Sequence, residues 1–193
     1  MGRSEPRDAG LRARLWQRGL TLYYLERYDE ASQQFEDDVA LNPNDTEESI
    51  WHLLSRWRGL VNEGNSNNPA VSLARLSMLL VGRDSRDFMR AAMKLFEEGD
   101  PASADGARAI SHRSDYEEHS PQAFYADLYL ALWFEAAALP LLAQEHMMAA
   151  VSSEYGLQSK DYMWHLAVVH ARMRGWVHIA DEAATFSGVH SWE

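Results

Sequence analysis

Apolar positions recur at steps of three and four along most of the chain, a pattern that predicts a succession of amphipathic helices. The first spans about 11–26 and the second about 29–41, joined by a tight turn and closed by Pro43. Leu15, Gly19 and Leu22 share one face of the first, with Trp16, Leu20, Tyr23 and Tyr24 beside it. A glycine inside a helix costs about 1 kcal/mol relative to alanine. Gly19 therefore asks for a compensation, and close approach of the second helix supplies one: Ala31 is its small residue and Phe35 the large one that fills the space. Asp45 with Glu48 three residues on forms a capping-box signature and opens a helix over 47–58. A Gly/Asn-rich loop over 59–69 follows, then a short apolar helix over 70–80 as partner to 47–58. Asp84 or Ser85 caps a helix running to about 98, with Phe88, Met89, Ala92, Leu95 and Phe96 as its buried stripe, and Gly99-Asp100-Pro101 ends it. Residues 102–112 make another short helix and 113–121 a charged connection.

From Pro121 the opening pattern returns. Gly19, Ala31, Phe35 and Pro43 fall on the offsets of the tetratricopeptide (TPR) signature, a unit of about 34 residues. Leu15, Arg18, Leu22 and Asp38 depart from it. Setting Ala131 against Gly19, 112 residues further on, puts Phe134, Ala143, Met147 and Ala150 on the same offsets, with Tyr155 in the place of the proline. The chain thus reads as all-α: a TPR-like right-handed α-solenoid of antiparallel helix pairs over about 11–43, 46–80, 84–112 and 121–155. A C-terminal capping helix at 160–175 covers the last exposed edge. The helical domain occupies 11–176, flanked by a loose tail at 1–10 and a tail or short helix at 177–193.

Composition narrows the function classes. A net charge of −11 and a pI near 5.1 argue against nucleic-acid binding, which draws on a basic face. The absence of cysteine excludes a disulfide framework, a thiolate metal site and a cysteine nucleophile. No apolar run reaches the roughly 18–20 residues of a membrane span; the most hydrophobic stretch, 124–142, is interrupted by Asp127 and Glu135. The opening residues lack the apolar core of a secretory signal. Pro6 stands where N-myristoylation wants serine or threonine. A soluble protein without membrane insertion is expected.

No pattern of catalysis emerges. The eight histidines are spaced off common helix faces, and the pairs Glu48/His52 and Asp161/His165 offer two ligands each, too few for a metal site. Glu47 and Glu48, adjacent on a helix, point about 100° apart and serve the helix dipole. No phosphate loop or nucleophile elbow is present. The reading is therefore non-enzymatic, with no cofactor and no metal. If the first helix of each pair lines an inner groove, Trp16, Leu20, Tyr23, Tyr24, His52, Arg56, Tyr125, Tyr129 and Leu132 face or edge it. Such a surface suits an apolar or helical segment of a protein partner.

Arg18-Gly19-Leu20-Thr21-Leu22-Tyr23-Tyr24, the run from Asn42-Pro43-Asn44-Asp45 to Trp51, Val81-Gly82-Arg83-Asp84, Leu95-Phe96, Lys160-Asp161-Tyr162-Met163 and Arg174-Gly175-Trp176 carry a family likeness over about 12–176. The chain resembles an uncharacterised family of TPR-like proteins of plant and algal plastids. It is more distantly similar to the bacterial NlpI-like TPR lipoproteins, which share the Arg-Gly-x-x-Leu-Tyr-Tyr start and the returning repeat. The resemblance implies an adaptor or scaffold that brings protein partners together and is able to form a homodimer. It implies plastid residence if a transit peptide precedes this chain and the cytoplasm if none does. It names no catalytic residue. The lipoprotein role does not carry over, because no lipobox cysteine is present, and the loop 59–69 departs from the plastid family. The alternative is an obligate structural or assembly subunit of a larger complex.

Overall fold

The computed structural model describes residues 15–62, 76–98, 116–117 and 120–177. Among them are eight helices and no strand: α1 Trp16–Tyr24, α2 Tyr28–Leu41, α3 Thr46–Asn62, α4 Asp87–Glu98, α5 Pro121–Ala136, α6 Pro140–Ser152, α7 Glu154–Gln158 and α8 Tyr162–Met173. The expected tail at 1–10, the short helix at 102–112, most of the loop at 59–69 and the C-terminal turns at 178–187 lie outside the described residues. The loop assigned from 59 begins later, because α3 continues to Asn62. The helix expected over 70–80 is corrected in its described part: residues 76–80 are not helical. They form a strap without regular secondary structure, whose Leu79 carbonyl accepts a hydrogen bond from Ser49 Oγ at 2.9 Å.

The two halves of the repeat match in geometry as well as in sequence. A side chain at Gly19 would put its Cβ 2.7 Å from Phe35 Cε1 and Cζ, so the glycine is the space into which the Phe35 ring packs. The turn between α1 and α2 and the turn between α5 and α6 are built bond for bond alike. Glu26 and Ala138 sit at φ 60° and 61°, and each closes a Schellman motif. In that motif Arg27 N–H reaches Leu22 O at 3.0 Å, and Leu139 N–H reaches Phe134 O at 2.8 Å. Every partner in one turn lies 112 residues from its counterpart in the other, the spacing at which Ala131 repeats Gly19. Gly175, at φ 69°, ends α8 by the same device, donating to Arg172 O while Trp176 N–H reaches Ala171 O.

Packing runs from neighbour to neighbour, α1 on α2, α2 on α3, α3 on α4, α4 on α5, α5 on α6 and α6 on α8. Helix α5 is the centre. Residues on all its sides are buried, among them Phe124, Leu128, Tyr129, Leu132 and Trp133, as expected of a helix with no solvent face. The two charges that interrupt its hydrophobic run are paired. Asp127 holds His146 at 2.9 Å, and Glu135 meets both His170 and Arg174. Burial alone would raise the Glu135 carboxyl, but His170 and Arg174 draw it down to about 2.

The last helix does more than cap an edge. Tyr24 Oη of α1 lies 2.9 Å from His170 Nδ1 of α8, and the Trp16 and Tyr162 rings meet edge to face with centroids 5.1 Å apart. The first and last described helices therefore touch. A one-dimensional stack, in which each repeat contacts only its neighbours, does not do this.

Candidate functional site

Where α1 and α8 meet, they border a partly open cavity of about 310 Å³ together with the start of α3. Trp16 and Leu20 come from α1, Phe35 from α2 and Tyr125 from α5. The other walls are Asp45, Glu47, Glu48 and Trp51 at the head of α3, and Asp161, Tyr162 and Met163 at the head of α8. Both heads are fixed by short-range chemistry. Asp45 Oδ1 accepts from Glu47 N–H at 3.0 Å, one residue short of the Glu48 N–H that the expected capping box engages. The Glu48 carboxyl is instead buried at the cavity wall. Asp161 Oδ1 caps α8 through Met163 N–H at 2.8 Å, which turns Oδ2 toward the hydroxyls of Tyr125 (2.9 Å) and Tyr155 (2.7 Å).

Behind the head of α3, Arg86 gathers three carboxylates: Asp45 at 2.8 Å, Glu47 at 2.6 Å and Asp84 at 2.7 Å. Asp84 does not cap α4, as the sequence suggested. That helix starts three residues later, and Asp84 instead accepts from Thr46 Oγ1 at 3.0 Å, tying the approach to α4 onto the first turn of α3. Burial works against its charge, yet hydrogen bonds from the Arg86 side chain and backbone hold the carboxyl down at about 2. Glu47 also accepts from Tyr129 Oη at 2.6 Å, and burial beside that carboxylate pushes the Tyr129 phenol up.

Of the nine residues expected on an inner groove, Trp16, Leu20 and Tyr125 line this cavity. Leu20 and Tyr24 also border a shallower groove between α1 and α8, completed by Thr21, Leu25, Tyr162, His165, Leu166 and Val169. Tyr23, His52, Tyr129 and Leu132 are placed differently. All four are buried in the core. Tyr23 is wedged edge-on among Tyr24, Tyr28 and Trp51. Burial lowers the pKa of His52, and its Nδ1 has no hydrogen-bond partner. Arg56, on α3, is exposed and lines neither the cavity nor the groove. Glu48/His52 and Asp161/His165 gain no third ligand: among the described residues no group of three His, Cys, Asp or Glu side chains is arranged for a metal ion.

The sequence reading passed over the acidic wall. Glu47 and Glu48 do diverge along the helix, but long side chains at successive positions border the same cavity from two sides. The available signal was numerical. Asp45, Glu47 and Glu48 supply more carboxylates than one helix N-terminus uses. No described helix is long and apolar enough to cross a membrane. Set beside known proteins, the chain matches no family model, no curated protein and no solved structure.

Proposed function

We propose that this chain is a non-enzymatic, TPR-like adaptor that grips a segment of a protein partner along the α1–α8 seam. In this reading the helix pairs form a short right-handed solenoid, curled so that its ends meet, and the groove at that meeting is the binding surface. One observation carries it. The cavity and the shallow groove adjoin at Leu20 and Tyr162, so aromatic and aliphatic walls run along the α1–α8 seam to an acidic end. Exposed Leu25, Tyr162 and Val169 flank it, with relative exposures of 60%, 42% and 40%. Rigid aromatic side chains over a partly open apolar trough are the usual anchors for a bound segment.

The test is site-specific photocrosslinking in a cell extract from the native source. A benzophenone side chain at Tyr162 or Leu25 captures a discrete partner, and the same group at Arg56 does not. Equal labelling at the three positions, or none at Tyr162 and Leu25, removes the reading.

The obligate-subunit alternative draws on Leu141 and Leu142 at the head of α6, 80% and 39% exposed in the isolated chain. Size exclusion with light scattering decides it, since a stable, dispersed monomer excludes an obligate subunit.

A further inference from the structure

The chain leaves the described fold at one end of the α1–α8 groove. Gly175 ends α8 in a left-handed turn, and Trp176 N–H reaches back to Ala171 O at 2.9 Å. The Trp176 ring comes to lie beside His170, with centroids 5.7 Å apart. His170 Nδ1 in turn lies 2.9 Å from the hydroxyl of Tyr24, a residue of the groove wall. Residues 178–193 continue from Val177, outside the described residues.

The groove beside this exit is apolar and open. Tyr162, Leu166, Val169 and Met173 recur at steps of four, three and four, which sets them on one stripe of α8. Tyr162, Val169 and Met173 are exposed, and so is Leu25 at the end of α1. The stripe is about 16 Å long at about 1.5 Å per residue.

The sequence beyond Val177 fits that stripe. Ile179, Ala183 and Phe186 stand at i, i+4 and i+7, the spacing of anchors on a helix that lies in an apolar groove. Asp181, Glu182 and Thr185 fall together on the other side, and Gly188 stands where such a helix stops. A helix over 178–187 is about 15 Å long, which matches the stripe. Tethering and charge favour this occupant over a second copy. A short link to its site holds a segment at an effective concentration on the order of millimolar, so a few apolar anchors suffice. Two chains of net charge −11 instead repel each other.

We propose that residues 178–187 form an amphipathic helix that folds back along α8 and docks Ile179, Ala183 and Phe186 in the α1–α8 groove, as a plug carried by the protein itself. The helix runs antiparallel to α8, with Ile179 toward Val169 and Phe186 toward Tyr162. This docking requires no partner. Its regulatory consequence, that a partner segment binds only when the plug leaves, rests on the segment-binding reading above. A plug seated about nine-tenths of the time lowers the partner's apparent affinity about tenfold.

The experiment uses the full chain, which contains no cysteine, so Ser187→Cys carries a single nitroxide label. Amide NMR signals are compared with the label oxidised and reduced. A docked plug broadens the signals of Thr21 and His165 in the groove wall. Ile179→Glu/Phe186→Glu in the same labelled chain abolishes that broadening, and Thr185→Glu, on the polar side, retains it. None of these substitutions lies in the described fold, so the remaining spectrum stays that of the parent protein. No broadening of Thr21 and His165, or equal broadening in the double variant, overturns the plug. Broadening of an isotope-labelled chain by a separate spin-labelled copy also overturns it, by placing the helix on a second molecule. The regulatory consequence is read from photocrosslinking at Tyr162. At limiting partner, Ile179→Glu/Phe186→Glu raises capture by up to about tenfold. Unchanged capture removes the competition between plug and partner. Broadening with no captured partner, in the parent chain and the double variant alike, removes the adaptor alone.

Discussion

Gly19→Ala tests whether the glycine is a packing device or a tolerated defect. On helix propensity alone the substitution stabilises by about 1 kcal/mol. The structure predicts the opposite sign. The new Cβ lands 2.7 Å from two atoms of the Phe35 ring, which is 1% exposed and packs at 6.4 Å, nearly parallel, on Trp51. The ring also borders the cavity, so any retreat is into that space and at the expense of its packing on Trp51. Overpacking of this kind costs about 1–3 kcal/mol, so after the gain in helix propensity the net loss is about 0–2 kcal/mol. The second repeat supplies the control. At the positions equivalent to Gly19 and Phe35 stand Ala131 and Met147, a larger small residue facing a slimmer, more adaptable large one. Phe35→Met alone leaves a gap above the glycine and destabilises. The double substitution Gly19→Ala/Phe35→Met transplants the second pair into the first and recovers most of both losses. Urea unfolding of the four proteins at one pH measures the cycle, with an expected coupling of about 1–2 kcal/mol in favour of the double variant. Additivity within about 0.3–0.5 kcal/mol, or a Gly19→Ala protein more stable than wild type, refutes the reasoning.

Three further outcomes follow from the same geometry. Glu26→Gly and Ala138→Gly each raise the urea midpoint, because relief of about 1–2 kcal/mol of left-handed strain exceeds the roughly 0.4–1 kcal/mol entropic cost of a new glycine; a fall at both positions contradicts the Schellman turns. Arg86→Ala strips the counter-charge from Asp84, Asp45 and Glu47 and lowers stability by about 2–4 kcal/mol in chemical denaturation, discounted from a fully buried pair because Arg86 is about one-third exposed. Arg86→Lys recovers only part of this, since an ammonium does not reproduce a guanidinium fork on three acceptors. The Glu48 carboxyl titrates at about 9 in the fold against 4.5 in the open chain, so its contribution is complete below 4.5 and is lost as pH rises to 9. Asp38, raised to about 6 by burial, contributes in the same direction but has finished by pH 7, while His52 and His170, lowered by burial, act only below about 6.5. Between pH 7 and 9 wild-type stability therefore falls, by at most about 1.4 kcal/mol per pH unit, and Glu48→Gln flattens that limb. An unchanged slope in the variant refutes the assignment to Glu48.

The sequence by itself determined the helices and the repeat. Periodicity and punctuation are local, so α2, α5, α6 and α8 lie within a few residues of where apolar spacing, Pro121, Pro140 and Gly175 put them. The Gly19–Phe35 contact was legible because a costly glycine needs a steric reason close at hand. The path of 76–80 was not legible: its apolar residues fit a helix locally, and the Ser49–Leu79 and Thr46–Asp84 hydrogen bonds that tie this stretch to α3 are tertiary contacts. The tertiary structure alone decided the site. Whether Tyr23, Tyr129 and Leu132 face a groove or a core depends on where α5 lies, and pairwise spacing within a helix holds no information about that. The return of α8 to α1 had no local signature either, since Tyr24 and His170 are 146 positions apart. That closure places Asp161 and Tyr162 opposite Glu48 and turns helix-cap carboxylates, ordinary in isolation, into the acidic wall of a cavity.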